Sequence, residues 1–192
     1  MTVGAAAAAV RAGDAVVYPT ETVYGLGADA TDPSAVGRVF DLKGRPRSKP
    51  LSIAVPTVTR ATRYTRPTVR AERFMRAFLP GPVTVVVERA PDLPDVLTAG
   101  GSRVGVRVPA HDRALALLAA ADRPVTATSA NRSGEPGVRR VSDLHPDVRD
   151  GCTAVVDDGE TPGGRASTVV DPTTGEIHRE GPLVDAVRAW LG

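Results

Sequence analysis

PTVRAERFMRAFLPGPVTVVVE, residues 67–88, decides the fold class. In its first half Ala71, Phe74, Met75 and Phe78 stand at i, i+3, i+4 and i+7, so Pro67–Leu79 reads as a helix with one apolar face. Pro80-Gly81-Pro82 breaks that period. Val83–Glu88 follows, a valine-rich run of strand length and β-branched composition. A helix handed straight to a strand is the unit of a layered sheet-and-helix protein, and the chain repeats it on both sides.

Toward the N-terminus, Thr2–Ala12 reads as an alanine-rich helix stopped at Gly13, and Ala15–Tyr18 as a buried strand ended by Pro19. Residues 19–30 read as a loop. Asp32-Pro33, an N-cap followed by proline in the first turn, opens a helix to about Leu42. Leu51–Val55 is a strand, and Thr57–Tyr64 is helical. Toward the C-terminus, Val104–Val108 is a strand whose alternation puts Arg107 on the face opposite its valine neighbours. His111–Ala121 is a helix, and Val125–Thr128 a strand leading into Ser129-Ala130-Asn131. Residues 141–148 form a short helix. Ala154–Asp157, Ser167–Val170 and Ile177–Arg179 are strands, and Pro182–Trp190 is a closing helix. The alternation argues for an α/β or α+β sheet protein. The connection between the strands near 167 and 177 is too short for a helical crossover, so the sheet is expected to be mixed. No repeat or linker divides the 192 residues, which are expected to form one domain, 1–192.

Hydrophobic residues make up 42% and charged residues 24%, ordinary for a soluble globular protein. The net charge of +2 suits anionic small ligands without compelling nucleic-acid binding. The longest apolar runs fall short of the ~20 residues that span a bilayer. The N-terminus lacks the basic leader and long apolar stretch of a signal peptide. Cys152 stands alone, so no internal disulfide is expected and a reducing, cytoplasmic setting is the default.

Several standard chemistries are absent. There is no G-x-x-x-x-G-K-[ST] and no G-x-S-x-G, and Gly25-Leu26-Gly27 lacks the third glycine of a dinucleotide fingerprint. His111, His145 and His178 are scattered without metal-ligand spacing, so no protein-held metal is expected. What remains are strand-end loops carrying hydroxyls, amides and cations: Thr20–Tyr24, Lys43–Lys49, Arg107, Thr128–Asn131, Ser167-Thr168 and Arg179. Strand ends are the usual ligand site of open sheets. The stretch DLKGRPRSKPLSI, 41–53, is the most basic of them. Of 24 lysines and arginines only Lys43 and Lys49 are lysine, a compact ammonium suited to a single phosphate or carboxylate oxygen. Taken singly these residues read as turn, cap or surface positions; together they read as an anion pocket. A nucleoside triphosphate, with about four negative charges, needs such a set of cations.

The blocks PTETVYGLG (19–27), KGRP (43–46) with KPL (49–51), LPGPVTVV (79–86), VGVRVPAH (104–111), TSANRSG (128–134), ASTVVD (166–171) and REGP (179–182) resemble, in this order, the YrdC-like family of L-threonylcarbamoyladenylate synthases. The resemblance runs from about Val16 to Pro182. Its K-x-R and S-x-N signatures stand as Lys43-Gly44-Arg45 and Ser129-Ala130-Asn131. It implies a twisted, largely parallel sheet with flanking helices around a basic cavity, in the short single-domain form. It also implies a cytoplasmic nucleotidyltransferase that condenses L-threonine, bicarbonate and ATP into threonylcarbamoyl-AMP, with Mg²⁺ carried by the ATP phosphates. The product would pass to the machinery that threonylcarbamoylates tRNA, and weak tRNA binding is compatible with it.

By position, the resemblance places Lys43, Arg45, Ser129 and Asn131 at the reaction. It places Arg45, Lys49, Arg103, Ser129, Gly137 and Arg179 on ATP, and Thr22, Arg107, Ala127 and Ser167 on threonine. Departures from the family pattern are Lys49 in place of asparagine, Ala54 in place of histidine, and Ala166 in place of glutamate or proline. Two other readings stay open: an RNA-binding maturation factor using the same basic concavity, and a carbamoyl-adenylate former like the related domain of hydrogenase maturation proteins.

Overall fold

The computed structural model describes the whole chain, residues 1–192. Ten strands form one sheet: β1 (Val16–Tyr18), β2 (Gly25–Gly27), β3 (Ser52–Ala54), β4 (Thr65–Arg66), β5 (Val83–Arg89), β6 (Arg103–Arg107), β7 (Val125–Ser129), β8 (Ala154–Val155), β9 (Thr168–Asp171) and β10 (Glu176–Arg179). Their order is β10-β9-β5-β6-β3-β7-β2-β1-β8, with β4 added to β5. The sheet is mixed, as the short connections require. The largely parallel arrangement is confined to three pairings, β1 with β8, β3 with β6 and β5 with β9; the other six are antiparallel. Eight helices flank it: α1 (Val3–Arg11), α2 (Pro33–Lys43), α3 (Val58–Ala61), α4 (Val69–Phe78), α5 (Asp95–Thr98), α6 (Asp112–Ala121), α7 (Pro146–Asp150) and α8 (Val184–Leu191). None is long and apolar enough to cross a membrane.

The stretch 67–88 builds one side of the sandwich. The Thr68 hydroxyl accepts from the Ala71 amide at 3.1 Å and starts α4. Ala71, Phe74 and Met75 then pack into one core with Val83, Val85 and Val87 of β5. Alternation along β5 sends Thr84 and Val86 to the other face, where they line a cavity. β1 divides the faces in the same way: Val17 joins the larger core, while Val16 and Tyr18 join a second one with α1 and α6. The alanines of α1 (Ala6, Ala7, Ala9) and α6 (Ala114, Ala121) bring these two helices close over part of that face. The cavity occupies another part of it.

Sequence periodicity misses β2, which lies inside the expected loop 19–30. Gly-Leu-Gly carries no strand signal, and its glycines answer a tertiary demand. A Cβ on Gly25 would sit 2.8 Å from Cζ of Tyr18, and one on Gly27 would sit 2.4 Å from Cγ1 of Val125. The tiny β4 and α5 are missed as well. Pro146 splits the helix expected at 141–148 into a 3-10 turn, Val141–Asp143, and α7.

The glycine geometry is testable by urea denaturation. Gly27→Ala is expected to destabilise the protein by about 1–3 kcal/mol, the usual cost of overpacking. Gly4→Ala in α1, where an added Cβ meets nothing within 4 Å, is expected to be neutral or to stabilise by up to about 1 kcal/mol.

Candidate active site

A cavity of about 620 Å³ opens on the sheet face beside α1 and α6, a volume typical of small-molecule sites. β6 gives it a long axis. Arg103 and Arg107 both line it, and four residues of strand separate their Cα atoms by about 13 Å. Register places another wall along this axis, with Ser52 beside Ala127, while Ala54, beside Arg107, packs into the second core.

The Arg107 end is rich in hydroxyls. The Thr20 and Thr22 hydroxyls lie 2.9 Å apart, and those of Thr84 and Ser167 lie 2.8 Å apart. Arg107 is buried. Its Nη1 donates to the carbonyls of Gly81 (3.0 Å) and Val83 (3.4 Å), and its Nη2 donates to Oγ1 of Thr22 (3.3 Å). Nη2 also lies 3.0 Å from Oε1 of Glu21. Burial pushes the Arg107 guanidinium below its ordinary range, with Glu21 pulling the other way. Burial likewise pushes the neighbouring Tyr18 phenol up to about 12.

The opposite end is cationic. Gly44, at φ +57°, reverses the chain after α2, so that Lys43 turns into the protein and Arg45 reaches the cavity. Arg45 is tied to its own loop, Nε to the Lys49 carbonyl and Nη2 to the Pro50 carbonyl, both at 3.0 Å. Lys49 lines the same end. Arg103 does too, with its charge met by Asp171. Arg179 feels both ends. Nε donates to the Ser167 carbonyl at 2.9 Å and Nη2 to the Ser167 hydroxyl at 3.0 Å. Burial depresses its guanidinium first, and repulsion from Arg107 and Arg45 adds to that.

Of the site residues expected from sequence, Thr22, Arg45, Lys49, Arg103, Arg107, Ala127, Ser129, Ser167 and Arg179 all line this cavity. Lys43, Asn131 and Gly137 do not. Lys43 is 2% exposed, and its Nζ donates to the carbonyls of Ser129 and Asn131, each at 2.5 Å. Asn131 Nδ2 donates to the carbonyls of Arg132 (2.7 Å) and Glu135 (2.8 Å). These two residues brace the loop after β7 from behind. Gly137 packs on Val23, where a Cβ would come within 2.8 Å of Cγ1. Sequence reasoning missed Tyr18, Thr84 and the Glu21 partner of Arg107. Thr84 carried a readable signal, a lone hydroxyl out of phase in a run of valines. Glu21 carried none.

An α/β sheet with a cavity that is cationic at one end and hydroxyl-lined at the other defines a protein built for a small polyanion beside a second polar ligand. The Sua5/YciO/YrdC family model, described as "Telomere recombination", matches residues 8–181. The chain belongs to this family. It is 41% identical over 169 residues to the threonylcarbamoyl-AMP synthase of Pyrococcus abyssi, covering 88% of this chain and 50% of that one. It is 39% identical over 197 residues to the human threonylcarbamoyl-AMP synthase, covering 97% and 70%. The structure of P. abyssi Sua5 complexed with L-threonine superposes with a TM-score of 0.93 at 38% identity, over 99% of this chain and 57% of that one. The chain thus spans about half the length of the P. abyssi relative.

Lys43 gives a test of its own. Burial, aided by Arg45, lowers its ammonium from 10.5 to about 8. Between these values the unfolded chain binds more protons, so this group makes stability rise with pH across that window. The neutral amine keeps two N–H donors for its two carbonyls, so activity is expected to persist as pH passes 8. Lys43→Met is expected to lose about 2 kcal/mol or more in urea denaturation, because two buried carbonyls lose their donor. Activity that falls with Lys43 deprotonation at unchanged stability would show instead that its charge acts on the ligand.

Proposed function

We propose that this single domain, residues 1–192, forms threonylcarbamoyl-AMP and pyrophosphate from L-threonine, bicarbonate and ATP. The observation that carries the reading is the convergence of Arg45, Arg107 and Arg179 on one cavity, with like-charge repulsion acting on Arg179 and a hydroxyl-lined end beside them. The names of the P. abyssi and human relatives support it, as does the L-threonine complex of the P. abyssi protein. An RNA-binding role finds less support: aromatic residues make up only 4% of the chain, and stacking platforms for bases need them.

In this reading Arg107, Thr22 and Ser167 take the amino acid, its carboxylate on the guanidinium and its polar atoms among the hydroxyls. Ala127 gives it a flat wall. Arg45, Lys49 and Arg103 take the triphosphate, with Ser129 at the same end. The threonine amine and bicarbonate give a carbamate, releasing water. A carbamate oxygen attacks the α-phosphorus, and the bond to the β-phosphate oxygen breaks to release pyrophosphate. Arg179, held on Ser167 and acted on by the charges of both Arg107 and Arg45, offsets charge on the carbamate and α-phosphate. Catalysis is positioning plus charge stabilisation, with no covalent enzyme intermediate. Lys43 and Asn131 act through the loop they brace. Mg²⁺ would enter on the ATP phosphates, whose oxygens supply the hard ligands it prefers. The product passes to the enzymes that modify tRNA, in the cytoplasm.

Pyrophosphate release measured with each substrate omitted in turn tests this directly: loss of release without threonine and without bicarbonate is expected, and release indifferent to threonine rejects it. Arg107→Lys keeps the charge but loses the planar fork. It is expected to raise the KM for threonine about tenfold or more and to leave that for ATP within about twofold.

A further inference from the structure

Glu21 belongs to the loop between β1 and β2, and no role for it follows from the reaction above. Its side chain is 15% exposed, and Oε1 lies 3.0 Å from Nη2 of Arg107. Both carboxylate oxygens are shielded from solvent, and Arg107 is the one cation within ion-pair distance of them. Its charge is therefore answered by Arg107 alone. Among the cations of the cavity only Arg103 has a comparable acidic partner, Asp171; Arg45, Lys49 and Arg179 have no carboxylate within ion-pair distance. The two ends thus differ in net charge. At the hydroxyl-lined end Glu21 cancels the charge of Arg107 and leaves Arg179, held on Ser167, as the unpaired cation, while the other end keeps both Arg45 and Lys49 unpaired.

A buried, uncompensated guanidinium would draw any anion, including a phosphate group. Pairing it with a carboxylate changes which ligand fits. A zwitterion brings its own cation and anion and leaves the net charge of the site unchanged. A polyanion brings only negative charge and is repelled by the Glu21 carboxylate paired with Arg107. Selectivity here takes the form of a repulsive element aimed at the wrong ligand.

We propose that Glu21 is a selectivity and positioning residue: it neutralises and orients Arg107, so that this end of the cavity takes a zwitterionic amino acid and refuses a second polyphosphate. The proposal rests on the reading of the cavity as an L-threonine and ATP site. It has a consequence for turnover, because pyrophosphate shares the cavity with threonine and is kept to the cationic end.

The test uses the full chain and Glu21→Gln, which keeps the shape of the side chain and removes its charge. Titration calorimetry measures L-threonine and pyrophosphate binding, and steady-state kinetics measures the inhibition pattern of pyrophosphate. In the unaltered protein pyrophosphate is expected to compete with ATP and not with threonine. In E21Q it is expected to compete with threonine as well, and the preference for threonine over pyrophosphate at that end falls about tenfold or more. Glu21→Asp, which keeps the charge, is expected to keep the unaltered pattern. An E21Q protein whose inhibition pattern and preference are unchanged overturns the proposal, as does an E21D protein that fails in the same way as E21Q. If E21Q does not fold, the unaltered protein still decides: competition between pyrophosphate and threonine there overturns the proposal. A chain that binds neither L-threonine nor ATP overturns the underlying reading of the cavity. One that binds both, with E21Q unaltered, overturns the role of Glu21 alone.

Discussion

Cations gathered around one cavity repel each other, and backbone carbonyls hold them there. Arg45 donates to the carbonyls of Lys49 and Pro50, Arg107 to those of Gly81 and Val83, Arg179 to that of Ser167, and Lys43 to those of Ser129 and Asn131. Each carbonyl belongs to a strand end or to a loop beside one. The charge is therefore anchored to the sheet and not to flexible side chains. Carbonyl dipoles offset part of the desolvation that burial imposes on Arg45, Arg107 and Arg179. What they leave over is a positive field, preorganised for an anion that brings its own charge.

The sheet supports this by using its two faces differently. One face is closed by α4 and the larger core, with Phe74 and Met75 packed against the valines of β5. On the other, α1 and α6 cover only part, packed closely through alanines. Short strands suit such a site. Three- to five-residue strands such as β1, β3 and β7 bring several strand ends, and the loops that follow them, to the rim of one small cavity.

Much of this was legible in the sequence, and the reasons are local. The i, i+3, i+4, i+7 pattern of Ala71, Phe74, Met75 and Phe78 and the valine run after it fix one helix and one strand without outside help. Asp32-Pro33 and Gly13 mark helix ends through backbone chemistry that each carries itself. Most of the cavity residues could be gathered as strand-end hydroxyls and cations. What escaped depends on distant partners. β2 is made by its pairing with β1 and β7, and its glycines answer Tyr18 and Val125, which leave no room for side chains there. The inward turn of Lys43 depends on carbonyls 86 and 88 residues away, which no local pattern around it signals. Glu21 looked like any polar loop residue until Arg107, from β6, was placed beside it.

The cavity has two ends of different net charge, the end with Arg45 and Lys49 being the more cationic and the end with the Arg107–Glu21 pair the less. The salt dependence of binding tests it most directly, since added ions screen a net charge far more than a compensated pair. Calorimetric titrations of ATP and of L-threonine into the protein, from about 50 to about 500 mM salt, are expected to show ATP affinity falling about tenfold or more while that for threonine changes less than about twofold. Equal salt dependence for the two ligands would contradict it.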